Sequence, residues 1–136
     1  MDSQGEDQWP RFALVIAAAM ILAAAGIDPL AGTFEGTSVC QVKASPCRDE
    51  HVLYRFTPTK SRRYRIDAFK LVAGKQIFMG PIDARFDAAT RRIHGLLMSG
   101  GQSRGTVDLK LTGNHLTGDI ELPDATLYRL IEADRH

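Results

Sequence analysis

The sequence predicts an antiparallel all-β domain: an up-and-down meander of about eight strands closing into a small barrel. Three observations lead there. From residue 33 onward, apolar side chains recur with a period of two rather than that of a helix. Short stretches of turn chemistry separate the segments with that rhythm, and none of these breaks leaves room for the crossover helix that a parallel sheet needs. Gly113-Asn114 stands between two such segments as a two-residue hairpin turn. Closure is favoured because it removes the unpaired edges that invite aggregation, and a two-sheet sandwich is the alternative.

The chain begins with a different kind of segment. Residues 12–25 (FALVIAAAMILAAA) carry no charge and are followed by Gly26, Asp28 and Pro29, which end a helix. The run is shorter than the roughly 20 residues a spanning helix needs, so it fits the apolar core of an export signal, with Ala23-Ala24-Ala25 as a cleavage site. Asp2, Glu6 and Asp7 ahead of it outweigh Arg11, against the cationic lead expected of a signal. This leaves open a start assigned upstream of the true one, or an uncleaved anchor that would be the only membrane contact. The expected organisation is therefore residues 1–25 as signal peptide or anchor and residues 26–136 as one barrel domain in the periplasm or outside the cell.

The strands expected after it are 33–42, 51–57, 63–72, 75–86, 91–99, two within 106–122, and 127–132. The breaks fall at Thr57-Pro58, Ala73-Gly74, residues 87–90, residues 99–101 and Pro123-Asp124. The hairpin around Gly113-Asn114 has a checkable register. Thr112 faces His115, Leu111 faces Leu116, Leu109 faces Gly118 and Val107 faces Ile120, which puts every apolar residue on one surface. Cys40 and Cys47, with Ser45-Pro46 turning the chain between them, should pair in an oxidising compartment. Their spacing is not that of a C-x-x-C redox motif, and no histidine pair stands near to complete a zinc site.

At 136 residues, with 44% apolar and 24% charged side chains, the chain is a folded one-domain protein rather than a disordered or fibrous one. A formal charge of +1 argues against a nucleic-acid partner, and the basic run Lys60-Ser61-Arg62-Arg63-Tyr64-Arg65 reads as a solvated turn.

Candidate chemistry is sparse. Gly101-Gln102-Ser103-Arg104-Gly105 matches G-x-S-x-G in letters, but it falls in a loop between strands rather than between a strand and a helix. His51, His94, His115 and His136 lack ligand spacing, so no metal and no cofactor is called for, and His115 should project outward beside Thr117. Asp49, Glu50 and His51 form a polar patch at the rim beside the disulfide loop, where Asp49 and His51 share a face and can couple their protonation. Tyr54, Phe56, Phe78, Phe86, Leu97 and Leu109 are expected to point into the barrel as candidate ligand contacts. Gly36, Ala84, Gly95 and Gly118 fall at inward positions that leave space for something small and apolar.

Gly32-Thr33-Phe34 and Tyr128-Arg129 resemble a pattern of the lipocalin and calycin barrels, in which a Gly-x-Trp on the first strand packs beneath an Arg near the last. Phe34 stands where that family has Trp, and the resemblance implies a small lipocalin-like barrel in which Arg129 covers Phe34. Residues 40–54, with Met79-Gly80 and Leu127-Tyr128-Arg129, are also similar to small exported bacterial proteins of unassigned function. That likeness implies a fold and an address and carries over no active residues.

Three functions follow in order. The first is a non-catalytic envelope module holding a small apolar ligand; the second is an interaction or inhibitor protein on a solid scaffold; an enzyme is third. A cavity of roughly 300 Å³ or more with a co-purifying lipid favours the first and a packed interior the second.

Overall fold

The computed structural model describes residues 28–44 and 46–136, so the apolar segment at 12–25, and with it the export signal, lies outside the described residues. Ala31–His136 forms one unit. Its eight strands are β1 Gly32–Cys40, β2 Glu50–Lys60, β3 Arg63–Val72, β4 Lys75–Asp87, β5 Arg92–Ser99, β6 Gln102–Thr112, β7 His115–Glu121 and β8 Leu127–Arg135. They run as an antiparallel meander, and β8 pairs with β1 to close the barrel. The register expected for the last hairpin holds at all four pairs, Thr112 with His115, Leu111 with Leu116, Leu109 with Gly118 and Val107 with Ile120. Gly113 enables that turn with φ of 61°.

Two expectations about breaks are corrected. Thr57-Pro58 is not a boundary, since β2 runs on to Lys60. Proline is tolerated there because the last β1 partner is Gly32 opposite Phe56, which puts Pro58 in the frayed end of the strand beside a register shift. The glycine-rich loop is only the Gly100-Gly101 turn, both residues at positive φ, and Ser103 lies in β6 opposite Met98.

Each end of the barrel is closed differently. At the end where β1 begins, Phe34, Phe56, Tyr64 and Phe86 stack edge to face in series, with ring centroids 5.3, 6.3 and 6.5 Å apart. The guanidinium of Arg135 lies 4.6 Å over the Phe34 ring and donates to the carbonyl of Ala31 and to Asn114 Oδ1. Arg135, and not Arg129, is thus the arginine above the first-strand aromatic. The antiparallel pairing decides this: Phe34 stands opposite Arg135, while Arg129 stands opposite Cys40 at the far end.

Phe78, expected to point into the barrel, is corrected as well. Counting in twos from Ile82 puts it inside, yet it is 51% exposed and meets Phe69, also outside, at 5.5 Å. A β-bulge is the cause. Ala68 pairs with Gly80 and Phe69 with Phe78, so Met79 is an extra residue and the faces reverse beyond it.

Gly36 and Gly118 leave no ligand space either. A Cβ on Gly118 would run into the Asp108 carbonyl oxygen and the Leu109 Cα, and one on Gly36 into the Glu132 carbonyl. These glycines let neighbouring backbones come together.

The disulfide joins Cys40 and Cys47 with Cα atoms 5.9 Å apart, as an oxidising environment allows. Asp49 fastens the same loop by accepting the Cys40 N–H at 2.9 Å. Under non-reducing conditions, Cys40→Ser is expected to lower stability by about 2 kcal/mol, on the order of 10 °C in the thermal midpoint, with the far-ultraviolet spectrum unchanged. Differential scanning calorimetry checks this, and an unchanged midpoint contradicts it.

Candidate functional site

The disulfide end holds the one charged cluster that the fold carries inward among the described residues. Along β8, Arg129 falls in phase with Ile131 and Ala133, so its side chain enters the barrel and is only 9% exposed. A buried guanidinium must find acceptors. Nη1 donates to the Ser38 carbonyl and hydroxyl oxygens, both at 3.3 Å, and to the Arg48 carbonyl at 2.9 Å. Nη2 donates to Glu50 Oε1 at 2.8 Å. The guanidinium also lies 4.9 Å over the ring of Tyr128. Three chain segments far apart in sequence are thereby tied at one point.

Beside this cluster is a cavity of about 170 Å³. Ala68, Met79, Ile82, Leu97 and Ile120 form its apolar walls, and Ser38, Glu50, Tyr54, Tyr128 and Arg129 complete it. Burial holds the Tyr54 phenol far above its ordinary value, with Arg129 opposing in part, so Tyr54 acts as a neutral hydroxyl beside Ser38. Met79, the bulge residue, is part of the cavity lining. There β4 first meets β5 at Ile82 opposite Leu97, which leaves residues 75–81 paired to β3 alone.

Of the interior candidates, Tyr54 and Leu97 line this cavity. Phe56 and Phe86 belong to the aromatic stack at the other end, and Leu109 is buried opposite Ile93 and Gly118. Asp49, Glu50 and His51 line the same two outer pockets, of about 530 and 450 Å³, but take different partners. Glu50 turns to Arg129, Asp49 is taken by the Cys40 N–H, and His51 points out to Glu35 at 3.8 Å, so the structure gives Asp49 and His51 separate partners. Arg129, Ser38, Ala68 and Met79 were not among the candidates; Arg129 was legible from its phase with Ile131 and Ala133.

Other features are surface features. A groove of about 700 Å³ is an outer trough lined by Arg63, Arg85 and Arg92 interleaved with Asp83, Asp87 and Asp108. His94 and Asp108 in that lining lie 2.7 Å apart. Ser103 donates to the Gly105 carbonyl within a strand, so its motif lacks the turn into a helix that a nucleophile elbow requires.

His115 projects outward, where it meets Asp134 Oδ1 at 2.6 Å and Glu132 Oε1 at 3.3 Å. The Asp134 hydrogen bond, followed by the nearby carboxylate charges, holds its imidazole above the ordinary value of 6.5. A raised folded-state value means that the stabilisation is complete below about 6.5 and is lost as pH rises through the folded value. The thermal midpoint is expected to drift down by about 1 °C across that window because the pair is exposed, and His115→Gln should flatten the drift.

No protein-family model matches the chain, and no curated protein matches it.

Proposed function

We propose that this protein is a non-catalytic binding module of the cell envelope, exported through residues 12–25, that takes one small and largely apolar molecule at the disulfide end of its barrel. The observation that carries this reading is the cavity of about 170 Å³ between apolar walls and the Arg129–Glu50 pair. It falls short of the roughly 300 Å³ set above for this reading, so the reading holds only for a molecule of about one ring, and a long lipid does not fit. The disulfide agrees with an oxidising address, and the closed eight-stranded meander with kinship to lipocalin-like barrels.

Native mass spectrometry of the protein taken from its own host's envelope tests the reading. The expected species starts at Gly26, has lost two hydrogens to the disulfide and retains a small ligand. Recovery from the cytosol with free thiols would overturn the export half. A ligand-free barrel whose midpoint no small neutral compound raises would overturn the binding half.

A second reading rests on a separate observation. Val72, Ile77, Phe78 and Met79, on the β3–β4 hairpin, are between 41% and 51% exposed, and the β4 edge beside them has no strand on its β5 side. Such a surface suits an interaction or inhibitor protein. Ile77→Ser with Phe78→Ser should leave the barrel folded and remove its cross-linked envelope partners; unchanged cross-links would end this reading.

A further inference from the structure

The end of the barrel where β1 begins gathers cations that the sequence scatters between positions 60 and 110. Lys60, Arg62, Arg63, Arg85, Arg92 and Lys110 are all exposed there, at the ends of β2 to β6 or in the turn between β2 and β3. The register sets like against like: Lys60 stands opposite Arg63, Arg63 opposite Arg85, and Arg92 opposite Lys110. Like charges directly across a ladder repel. None of the six forms an ion pair among the described residues.

The three carboxylates that share the outer trough with Arg63, Arg85 and Arg92 do not cancel this surface. Asp87 Oδ1 accepts the Ala89 and Thr90 N–H groups of its own turn, and Asp108 meets His94 at 2.7 Å. Even with Asp83 counted beside them, the cations are twice as many, in a chain whose formal net charge is only +1. On the β7–β8 side of the same end Glu132 and Asp134 take His115, so the cationic surface is confined to the β2–β6 flank. Five strands spaced at about 4.8 Å spread it over roughly 20 Å, which a single phosphate cannot reach across. An extended array of anions is what answers it.

Connectivity says which array lies nearest. β1 starts at Gly32 at this same end, and only residues 26–31 separate it from the apolar run at 12–25, a reach of about 20 Å at full extension. A bilayer that receives residues 12–25 during export is therefore within reach of the six cations. We infer that this end of the barrel is a docking surface for an anionic lipid leaflet, whose phosphates answer Lys60, Arg62, Arg63, Arg85, Arg92 and Lys110. The inference takes from the function proposed above only export through residues 12–25, and not the ligand. Each Lys or Arg held at such a leaflet strengthens association about fivefold, so the patch keeps the barrel at the membrane once the apolar segment is removed.

The test uses the full chain in lipid nanodiscs spin-labelled at the headgroup, with amide broadening read at both ends of the barrel. In phosphatidylglycerol discs, residues 60–63, 85, 92 and 110 should broaden at least about threefold more than residues 70–75 and 99–104 at the opposite end. The contrast should vanish in phosphatidylcholine discs, and also as salt rises from about 0.1 to 1 M, where the screening length falls from about 10 to 3 Å. Arg63→Glu with Arg85→Glu and Arg92→Glu, all exposed and outside the ligand cavity, should remove the contrast, while Lys75→Glu with Arg104→Glu at the other end should not. If the triple variant does not fold, the comparison of the two lipids decides alone. Equal contrast in both lipids, or stronger broadening at residues 70–75, overturns the inference and leaves export standing. So does a patch that shifts with soluble polyphosphate and stays sharp in phosphatidylglycerol discs, which would make the partner a soluble polyanion.

Discussion

Leu109→Asp is expected to abolish the folded barrel. Leu109 is 3% exposed, faces Ile93 across β5 and Gly118 across β7, and sits between Val107 and Leu111, which are buried on the same face. An aspartate there has no cation within its layer and no route to water through a closed sheet. It must either bury a charge, at a cost of several kcal/mol, or break the strand pairings around it. A domain of this size has only about 5–15 kcal/mol of stability to lose. Loss of amide dispersion in the nitrogen–proton spectrum is the expected result. Lys110→Asp, one residue along and exposed, is the control and should leave the spectrum dispersed. A folded Leu109→Asp protein with a near-normal midpoint would mean that the register of β6 is wrong.

Arg129→Met carries the second large effect. The substitution keeps much of the side-chain volume and removes the cation from Glu50, Ser38 and Arg48 together. It leaves the Glu50 carboxylate, only 22% exposed, without its counter-charge, at a cost of up to about 3 kcal/mol. Adding Glu50→Gln should restore more than half of that, because the penalty lies in the orphaned charge rather than in the missing attraction. Urea titrations of the single and double variants read both effects. A double variant no more stable than Arg129→Met would locate the loss in packing around the Arg stem instead.

Both predictions draw on strand phase, which was legible in the sequence wherever a strand is regular. The 106–122 hairpin came out pair for pair because its apolar residues alternate without interruption and Gly113 accepts the turn. The disulfide was legible for a similarly local reason, two cysteines seven residues apart across a proline turn. The errors fall where a long-range contact overrides local rhythm. Phe78 went outside because one extra residue at Met79 reverses the faces, and nothing in β4 alone announces a bulge set by its pairing with β3. Arg135 takes the place over Phe34 that the resemblance implied for Arg129, because the antiparallel pairing of β8 with β1 sets Phe34 opposite Arg135 and Arg129 opposite Cys40.

Period-two patterning, turn residues and the paired cysteines thus determined on their own that this chain builds a stapled antiparallel barrel, since each rests on contacts within a few residues. What fills the barrel was decided only by tertiary structure. Whether a glycine opens a cavity or admits a neighbouring backbone, and whether Glu50 is a rim charge or a half-satisfied carboxylate beside Arg129, depends on residues brought together from 79 positions apart. Closure of the sheet sets those encounters, and alternation along one strand carries no information about them.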